Sequence, residues 1–404
     1  MRLRPLGHVS ALYVRTIASL HEDKSARSSR HALVVQAAKW QNDSMKSHIL
    51  AVAALCALVS PSQAQEAEDK APALSPNDIV SQAPPEHWVS IPGDDLLVMT
   101  LAPDSEGNPR EVIIQLMPPP FSEGWVHNIK LLARSGWYDG VSVNRVQDNY
   151  VVQWGDPNHD NPESEGEKKT LPAELMVMGE KCYSNTFGSD ECSPRISEEL
   201  SPDRIAAEAI FAAEEAMAEL ENGKAKEKIY DTGINERDSY SKWIEFNDGW
   251  PLASGSVDES GAYRFWPVHC YGMVGVGRNY SPDTGSGAEL YTVIGHAPRH
   301  LDRNIALVGR IIEGMEHLSS LPRGKGALGF YKDPAKRTPI LSIRVVADLP
   351  EEERTQYEFL STESVSFARY AASRANRRDP FFIHPAGGAD ICNIPVPVRP
   401  SPNG

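Results

Sequence analysis

The sequence predicts a mainly β protein whose core is an antiparallel barrel or sandwich. Two observations lead to this prediction. Short segments rich in valine, isoleucine, leucine and aromatic residues recur along the chain between turn-forming residues. Helical patterns are few, and they do not alternate with the strands in the order that builds a parallel sheet. The predicted strands cover residues 96–101, 111–118, 137–146, 150–154, 269–278, 289–295, 304–312 and 340–349.

A small number of segments carry helical signals. Residues 121–136 have apolar residues at helical spacing, with Ser122 as the expected N-cap and Gly136 as the end of the helix. Residues 201–223 begin with a serine cap and a proline at the first helical position, and they end at a glycine. Shorter helices are predicted for residues 313–321 and 363–376.

Residues 45–64 have the features of a signal peptide. Lys46 supplies a positive charge, residues 49–59 are apolar, and a small-residue cleavage site ends at Ala64. The apolar run is short for a segment that spans a bilayer. The pattern therefore predicts export to the bacterial periplasm, with cleavage after Ala64.

The borders of this segment leave alternatives open. Residues 1–44 precede a complete signal peptide, so either Met45 is the true start or these residues are a genuine extension. Leu55 before Cys56 matches a lipoprotein cleavage site poorly, which favours a soluble exported protein over a lipid-anchored one. Residues 65–87 are rich in alanine, proline and acidic residues, and they are predicted to be a linker.

Composition limits the classes of function. The chain has 404 residues and a hydrophobic content of 41%, which is enough for a sizeable core. Its formal net charge is −15, which argues against nucleic acid as the main partner, because a phosphate backbone attracts basic surfaces. We therefore expect no nucleic-acid binding. The short apolar run of residues 49–59 separately argues against stable insertion into a membrane.

Cysteine usage indicates disulfides. Outside the signal peptide, an even set of cysteines occurs in a chain predicted to be exported. Cys182 and Cys192 flank a short loop and could pair locally, in which case Cys270 would pair with Cys392 near the end of the chain. More than one pairing is compatible with the sequence. A zinc site is disfavoured because the sequence has no CxxC.

The segment NRVQDNYVVQWGDP, residues 144–157, combines a permanent cation, a short apolar strand and one amide. Strand alternation places Val151 and Gln153 on one sheet face, with Tyr150 on the other unless its side chain bends inward. A lone arginine in a strand is usually a surface or ion-pair residue. Here Arg145 and the amide stand beside an apolar patch, and no hydrolase motif such as GxSxG or HExxH accompanies them.

Two other motifs are weak. GMVGVG, residues 272–277, superficially resembles a dinucleotide-binding loop, but its glycine order differs and it lies inside a strand pattern. His296, His300 and His384 lack a spacing that would define a metal site, so we expect solvated or capping histidines. Neither a metal nor another cofactor is predicted.

Taken in order, several segments resemble the cyclophilin-type peptidyl-prolyl isomerases. In WYDGVSVNRVQDNYVVQWGDP, a Tyr-Asp-Gly turn leads to a strand with the arginine, and an aromatic residue, an apolar residue and the glutamine follow before a Gly-Asp-Pro turn. GVGRNYSPDTGSGAELYTVIG and RHLDRNIALVGRIIEGMEHL resemble later loops and strands of the family. VIIQLMP and HNIKLLARSG resemble its first strand and helix. The resemblance covers about residues 94–157 and 268–347.

The resemblance implies a closed antiparallel β-barrel with two capping helices and peptidyl-prolyl cis-trans isomerase activity. Arg145 would stabilise the twisted X-Pro amide, and Gln153 would position the substrate backbone. Because the reaction breaks no bond, it needs neither a nucleophile nor a cofactor. The further substrate-binding positions that the resemblance implies are Tyr150, Val151, Gly277, Arg278, Asn279, Glu289, Tyr291, His300 and Leu301.

The sequence departs from the family's usual residues at several of these positions. Val151 replaces a methionine, and Tyr150 and Tyr291 replace phenylalanines. His300 stands where many members have a tryptophan, and Ile305 stands where many have a histidine. Because the arginine and the glutamine are retained, we expect activity that is weak or selective.

The resemblance also implies a domain plan. A cyclophilin-like domain over residues 88–347 is interrupted by an insertion, residues 158–267, and is followed by a partly helical C-terminal extension, residues 348–404. The insertion is either a lid or client-binding arm, or a tolerated surface insertion. The expected partners are proline-containing segments of exported proteins. The alternative function is a non-catalytic chaperone or protein-binding module that uses the acidic insertion.

Overall fold

The computed structural model describes residues 73–158, 166–186, 192, 238–256 and 263–402. The predicted signal peptide and the predicted helix 201–223 lie outside these residues. In the described part, the helices are α1 (Pro76–Ser81), α2 (Glu123–Arg134), α3 (Glu316–Ser319) and α4 (Val365–Ala375). The strands are β1 (Trp88–Ser90), β2 (Leu96–Leu101), β3 (Arg110–Leu116), β4 (Ser142–Val146), β5 (Val151–Gly155), β6 (Trp243–Asn247), β7 (Trp250–Ser256), β8 (Tyr263–Pro267), β9 (Met273–Val276), β10 (Leu290–Val293), β11 (Leu307–Glu313), β12 (Thr338–Val345), β13 (Tyr357–Leu360) and β14 (Val398–Pro400).

A closed barrel forms the centre of the fold. Its strands follow the order β10-β5-β4-β12-β2-β3-β11-β9, and each neighbouring pair is antiparallel. Because side chains alternate along a strand, every second residue points into the barrel. Leu97, Met99, Val112, Ile114 and Trp154 are among the residues buried there. The mainly β prediction and the closed antiparallel barrel implied by the resemblance are confirmed.

Helix α2 covers part of this core with the apolar face that its spacing predicts. Trp125, Ile129 and Leu132 are buried in the same cluster as the barrel interior. Ser122 occupies the predicted N-cap position, but its side chain does not cap the helix: its backbone is left-handed with φ 51°, and its hydroxyl donates to the Leu307 carbonyl at 2.6 Å. An N-cap side chain reaches the first helical amides from an extended backbone, which Ser122 does not adopt.

The second predicted capping helix is much shorter than residues 313–321. Strand β11 continues to Glu313, and Gly314 with φ 78° then turns the chain before α3 begins. A side chain at Gly314 would clash, because its Cβ would lie 2.1 Å from the Glu111 carbonyl oxygen. Leu318 of α3 is fully buried in the barrel cluster, so this single turn still covers the core.

Residues 238–267 contain a sheet that the sequence analysis missed. No strand was predicted between residues 155 and 268, but β6, β7 and β8 form an antiparallel sheet. The β6–β7 turn is Asp248-Gly249, and both residues have positive φ, 48° and 78°. Such φ values suit a two-residue hairpin turn, for which Asp-Gly is a strong sequence signal. The charged and amide residues that surround this signal made the segment look like a loop.

The predicted linker, residues 65–87, includes helix α1. Ser75 caps the helix through a capping box, in which its hydroxyl accepts from the Asp78 amide and its own amide donates to the Asp78 carboxylate. Pro76 occupies the first turn, and Ile79 is buried. The prediction of a linker is therefore wrong for this part, because Ser-Pro-Asn-Asp is a helix start that the alanine- and proline-rich composition concealed.

The insertion and the C-terminal extension share a second hydrophobic core. Trp250 and Trp266 of the insertion sheet pack in one cluster with Phe367 and Tyr370 of α4. Helix α4 agrees with the predicted helix over residues 363–376, and β13 pairs with β1 and β14 in a further sheet. The described part of the insertion is thus anchored to the rest of the protein by buried aromatic side chains.

Arg310 joins the barrel to this second core. Its side chain is buried on β11, and its Nε donates to Gln115 Oε1 at 2.8 Å. Its Nη1 donates to the Gly249 carbonyl at 2.8 Å, and the guanidinium lies 4.5 Å from the centre of the Trp250 ring. Burial lowers the pKa of Arg310 to about 9, which shows how strongly this position disfavours charge.

The cysteines outside the signal peptide form two disulfides, Cys182–Cys192 and Cys270–Cys392. The first closes a loop with a sequence separation of 10, and the second joins the segment before β9 to the C-terminal extension with a separation of 122. These are the pairs that the local-pairing alternative implied, so this structure resolves the question that the sequence left open.

Metal clusters and membrane-spanning helices are absent from the described ranges. No group of three or more His, Cys, Asp or Glu residues there could hold a metal ion, and His296, His300 and His384 belong to no such group. No helix in these ranges is long and apolar enough to cross a bilayer.

The two disulfides should differ in their contribution to stability. In the chain-entropy model, removing Cys270–Cys392 by a double alanine substitution should lower the free energy of unfolding by about 5 kcal/mol, and removing Cys182–Cys192 should lower it by about 3 kcal/mol. The reason is that the longer loop restricts the unfolded chain more. Urea unfolding of the oxidised proteins measures both values. A larger loss for the short loop would contradict this explanation.

Candidate active site

A cavity opens on the outer face of the barrel beside β4, β5 and β10. Its volume is about 500 Å³. Its floor and walls come from these strands and from the loops after β9, between β10 and β11, and before β12. The lining residues are Arg145, Tyr150, Val151, Gln153, Gly277, Arg278, Asn279, Tyr280, Glu289, Tyr291, Leu301, Ile305, Leu328 and Phe330.

Strand register places the central side chains in one row. Arg145 on β4 is opposite Gln153 on β5, and Gln153 is opposite Tyr291 on β10. Residues that face each other across neighbouring strands point to the same side of a sheet. Tyr291 in turn faces Gly275 on β9, where a Cβ atom would lie 2.3 Å from the tyrosine hydroxyl. A glycine at this position therefore leaves the space that the Tyr291 ring occupies.

Arg145 is held by both sides of the cavity. Its Nη1 donates to Gln153 Oε1 at 3.0 Å, its Nη2 donates to Gln147, and its Nε donates to the Leu328 carbonyl at 2.7 Å. The guanidinium also lies 5.6 Å from the centre of the Phe330 ring. Each terminal nitrogen carries a second N–H group that these bonds do not use. Burial lowers the pKa of Arg145, so its charge is only partly solvated and acts strongly on a bound ligand.

Gln153 lies between the Arg145 guanidinium and the Glu289 carboxyl group. Its Oε1 accepts from Arg145, and its Nε2 donates to the Glu289 carboxylate at 3.3 Å. A guanidinium can only donate, so the Gln153 oxygen must face Arg145 and the amide has a single favoured orientation. The second N–H of Gln153 Nε2 can therefore donate to a ligand in the cavity.

Glu289 fits beside Gln153 because two glycines leave room for it. A Cβ atom at Gly155 would lie 2.3 Å from Glu289 Oε1, and one at Gly277 would lie 2.9 Å from its Cβ. Glu289 itself is 3% exposed. Tyr138 is fully buried, and this burial raises the pKa of its hydroxyl. The nearby Glu289 raises the pKa of Tyr138 further.

An apolar wall faces the Arg145 and Gln153 pair. Val151, Tyr291 and Val293 are buried together, and Tyr150 and Ile305 pack against them. Tyr150 is thus on the cavity side, as we expected if its side chain bends inward from the strand entry. The guanidinium of Arg145 lies 5.7 Å from the centre of the Tyr150 ring, which closes one end of the wall.

The loop after β9 borders the opposite end of the cavity. Arg278 donates from Nε and Nη2 to the Asn304 carbonyl at 3.1 and 2.7 Å, and the amide of Asn279 donates to Asp283 at 2.8 Å. These bonds fix the backbone of the loop. Tyr280 follows on the rim with 89% of its surface exposed. The loop therefore presents polar and aromatic groups to whatever extends out of the cavity.

The cavity brings together every predicted site residue except His300. His300 is exposed in the 3₁₀ turn Arg299–Leu301 and does not line the cavity, which corrects its expected place there. With about three residues per turn, neighbouring side chains point in different directions. Arg299 points into the protein and Leu301 reaches the cavity, which leaves His300 facing solvent.

The sequence analysis missed the loop before β12. Phe330 forms an isolated antiparallel bridge with Arg145, and the Leu328 carbonyl accepts a hydrogen bond from Arg145 Nε. Tyr280 on the opposite rim was also missed. The glycine-rich segment RGKGALGF was the available signal, since closely spaced glycines let a backbone approach another strand. It lacks the periodicity of a strand, and its contact with Arg145 depends on a long-range bridge.

The arrangement suits binding of a compact apolar group beside a polarised amide or carbonyl. Arg145 and Gln153 supply N–H donors from one side, and the apolar wall excludes water on the other. Such a site can stabilise one conformation of a ligand without forming a covalent bond.

Comparisons with known proteins found one matching family and several similar structures. The family described as "Cyclophilin type peptidyl-prolyl cis-trans isomerase/CLD" matches residues 124–345. A crystal structure of a cyclophilin from Hirschia baltica is similar, with a TM-score of 0.50 and 19% identity over 81% of this chain and 98% of that chain. A cyclophilin-type isomerase from Cryptosporidium parvum, crystallised in the presence of the dipeptide Ala-Pro, matches with a TM-score of 0.29 and 11% identity over 62% and 97% of the chains. No curated protein matches the sequence significantly.

We expect Gly155→Ala to displace Glu289 and disturb Gln153, because the new Cβ would meet the carboxylate. The side-chain amide signal of Gln153 should shift in ¹H–¹⁵N NMR spectra. The matched control is Gly140→Ala, where φ is also positive, 77°, but nothing lies within 4 Å of the new Cβ. The control should lose about 1–2 kcal/mol of stability through backbone strain and leave the Gln153 signal in place. An unchanged Gln153 signal in Gly155→Ala would contradict this packing.

Proposed function

Because this chain belongs to the cyclophilin-type peptidyl-prolyl cis-trans isomerase family, we propose that it catalyses the cis–trans isomerisation of X-Pro bonds. One observation carries the proposal. Arg145 and Gln153 share a hydrogen bond and face an apolar wall that can hold a proline ring. The family supports isomerase activity, and the retained pair supports catalysis at this cavity.

The chemistry requires stabilisation of a twisted amide. Resonance opposes rotation about the X-Pro bond with a barrier of about 18–20 kcal/mol. Uncatalysed isomerisation takes about 10–100 s at 25 °C. Twisting removes the resonance, so the nitrogen gains a localised lone pair. An enzyme accelerates the rotation when its groups bind this twisted form more tightly than either planar form.

In the proposed mechanism, the proline ring lies against Val151 and Tyr291, and Leu301 and Phe330 close the remaining sides. The unused N–H groups of Arg145 donate to the substrate carbonyl and toward the developing nitrogen lone pair. The Arg145 hydrogen bonds to Gln153, Gln147 and Leu328 fix the guanidinium before substrate arrives, so little reorganisation accompanies the rotation. The second N–H of Gln153 positions the substrate backbone.

We further propose that the substrates are proline-containing segments of exported proteins. The support is the sequence of residues 45–64, which has the charge, apolar core and small-residue site of a signal peptide. The two disulfides fit the same proposal, because disulfides persist in oxidising compartments. Such a protein would act on clients that fold after they cross the inner membrane.

Removing the guanidinium should largely abolish catalysis. We expect Arg145→Ala to lower kcat/KM for a short X-Pro peptide about a hundredfold, the size of effect seen when a preorganised donor is lost. Arg145→Lys should also be strongly impaired, since a lysine cannot offer a planar fork of donors. Exchange NMR of the peptide measures the rate.

The control variant is Arg377→Ala, which removes a surface arginine paired with Asp379 outside the cavity. It should leave kcat/KM unchanged within about twofold, because such surface pairs contribute little. If folded wild-type protein accelerates none of several X-Pro peptides, catalysis on simple peptides is excluded. The non-catalytic chaperone or binding module would then be the better assignment.

Export predicts a processed N-terminus. When the full chain is expressed in a Gram-negative host, we expect the periplasmic fraction to contain a protein that begins at Gln65. N-terminal sequencing of the purified protein measures this. A chain that lacks residues 45–64 should stay in the cytoplasm. A wild-type protein that keeps residues 45–64 and remains cytoplasmic would overturn the proposal of export.

A further inference from the structure

A row of buried hydrogen bonds runs from the apolar wall of the cavity into the protein. The Tyr291 hydroxyl lies 2.9 Å from His269 Nε2, and His269 Nδ1 lies 2.8 Å from Asp302 Oδ1. Arg299 Nε donates to Asp302 Oδ2 at 2.7 Å. Arg299 Nη1 donates to Asp238 Oδ2 at 2.6 Å. We refer to these five side chains as the relay.

The relay is almost completely shielded from water. Tyr291 is 4% exposed and His269 is 1% exposed. The side chains of Arg299 and Asp238 are each 3% exposed, and that of Asp302 is 2% exposed. Buried charges lose their hydration, so an ion-pair row of this kind adds little net stability compared with apolar packing. Its presence directly behind the apolar wall therefore suggests a role other than stability.

The hydrogen-bond partners define the direction of the relay. Asp302 Oδ1 also accepts from the His269 backbone amide at 3.0 Å, and an ionised carboxylate can only accept, so His269 Nδ1 carries a hydrogen. In the neutral imidazole, Nε2 then accepts, and the Tyr291 hydroxyl donates to it. Burial raises the pKa of Tyr291, and the neighbouring Tyr150 and Asp302 raise it further, so this hydroxyl keeps its proton.

Geometry shows what the bond to His269 does to Tyr291. The two rings are nearly parallel, with an interplanar angle of 6° and centroids 6.4 Å apart. The Tyr291 hydroxyl is at the far end of its ring, so its hydrogen bond to His269 fixes how deeply the ring is inserted and how the ring plane is oriented. The same ring contributes to the apolar wall with Val151 and Val293. The relay therefore holds the surface against which a proline ring would lie.

The opposite end of the relay is in the insertion. Asp238 accepts from the amides of Tyr240 and Ser241 at 2.7 and 2.9 Å, and the Arg299 guanidinium lies 5.2 Å from the Tyr240 ring. Although burial opposes ionisation, hydrogen bonds from Arg299 and from the Tyr240 amide hold the pKa of Asp238 below its ordinary value. The residues just before β6 are thus tied to the wall of the cavity.

We propose that His269 is a positioning residue for isomerisation and that the relay couples the insertion to the apolar wall through Tyr291. This inference rests on the proposed function. A phenylalanine would fill the wall equally well, so the hydroxyl of Tyr291 serves the relay and not the ligand. His269 is buried and does not line the cavity, so it acts through the tyrosine ring. The preference among X-Pro substrates then depends on residues outside the cavity.

A double-mutant cycle tests the coupling. In wild-type protein, His269→Leu leaves the Tyr291 hydroxyl buried without its acceptor, and we expect kcat/KM for X-Pro peptides to fall about tenfold. In the Tyr291→Phe background the hydroxyl is absent, so His269→Leu should change kcat/KM by less than about twofold. Asp238→Asn should follow the same pattern with a smaller loss.

Two controls separate positioning from loss of stability. His87→Leu removes another part-buried histidine, whose Nδ1 lies 2.8 Å from Ser366 Oγ outside the cavity, and it should leave kcat/KM unchanged. His269→Gln keeps a polar group near Nε2 and should recover part of the activity lost in His269→Leu. Circular dichroism verifies that each variant is folded, and His269→Gln replaces His269→Leu in the cycle if the latter does not fold.

The outcomes are distinct. Equal losses from the His269 substitution in both backgrounds, or no loss in either, would overturn the coupling. If the wild-type protein does not isomerise peptides, the same cycle is measured on the Kd of an X-Pro peptide by NMR titration. A cycle that shows coupling in Kd alone would support the relay while the proposed catalysis fails. A wild-type protein that neither isomerises nor binds the peptides would overturn both.

Discussion

The register between β4, β5 and β10 is the constraint on which the site depends. It puts Arg145, Gln153 and Tyr291 side by side on the outer face of the barrel. The neighbours of Gln153 along β5 point into the barrel instead, and both Val152 and Trp154 are fully buried there. Because side chains alternate, a slip of one residue in β5 would turn Trp154 out and Gln153 into the core. Core packing thus enforces the arrangement of the polar row.

Hydrogen bonding then fixes the direction of the Gln153 amide. The Arg145 guanidinium lies on one side of this amide and the Glu289 carboxyl group lies on the other. A glutamine flanked by two neutral amides could reverse without losing hydrogen bonds, but here a reversal would break both. The cavity is therefore preorganised by residue types as well as by position. Because these side chains are fixed in advance, the cavity favours one conformation of a ligand and does not rearrange around the ligand.

The sequence predicted the barrel well and the parts around it poorly, for physical reasons. Strand β2 was predicted with its observed ends because its residues favour strands and turn-forming residues follow it, and α2 was predicted because its apolar stripe follows the helical period. The β6–β7 hairpin was missed because polar residues such as Glu245 and Asn247 stand near its Asp248-Gly249 turn and obscure the strand pattern. His300 was misplaced because a 3₁₀ turn separates it from Leu301, and Phe330 was missed because its contact with Arg145 depends on a distant bridge.

The second core explains how a barrel with a large insertion can keep so defined a cavity. Trp250 and Trp266 anchor the returning strands of the insertion, and Cys270, the residue after His269, is bonded to Cys392 of the C-terminal extension. The relay keeps its geometry only if both of its ends are rigid. Movement of either end would break hydrogen bonds and leave buried polar groups unpaired in a low-dielectric interior. These anchors supply that rigidity on the His269 side, and the amides of Tyr240 and Ser241 supply it at Asp238. The insertion and the extension therefore act as supports of the cavity, which gives both segments a physical reason to accompany the barrel.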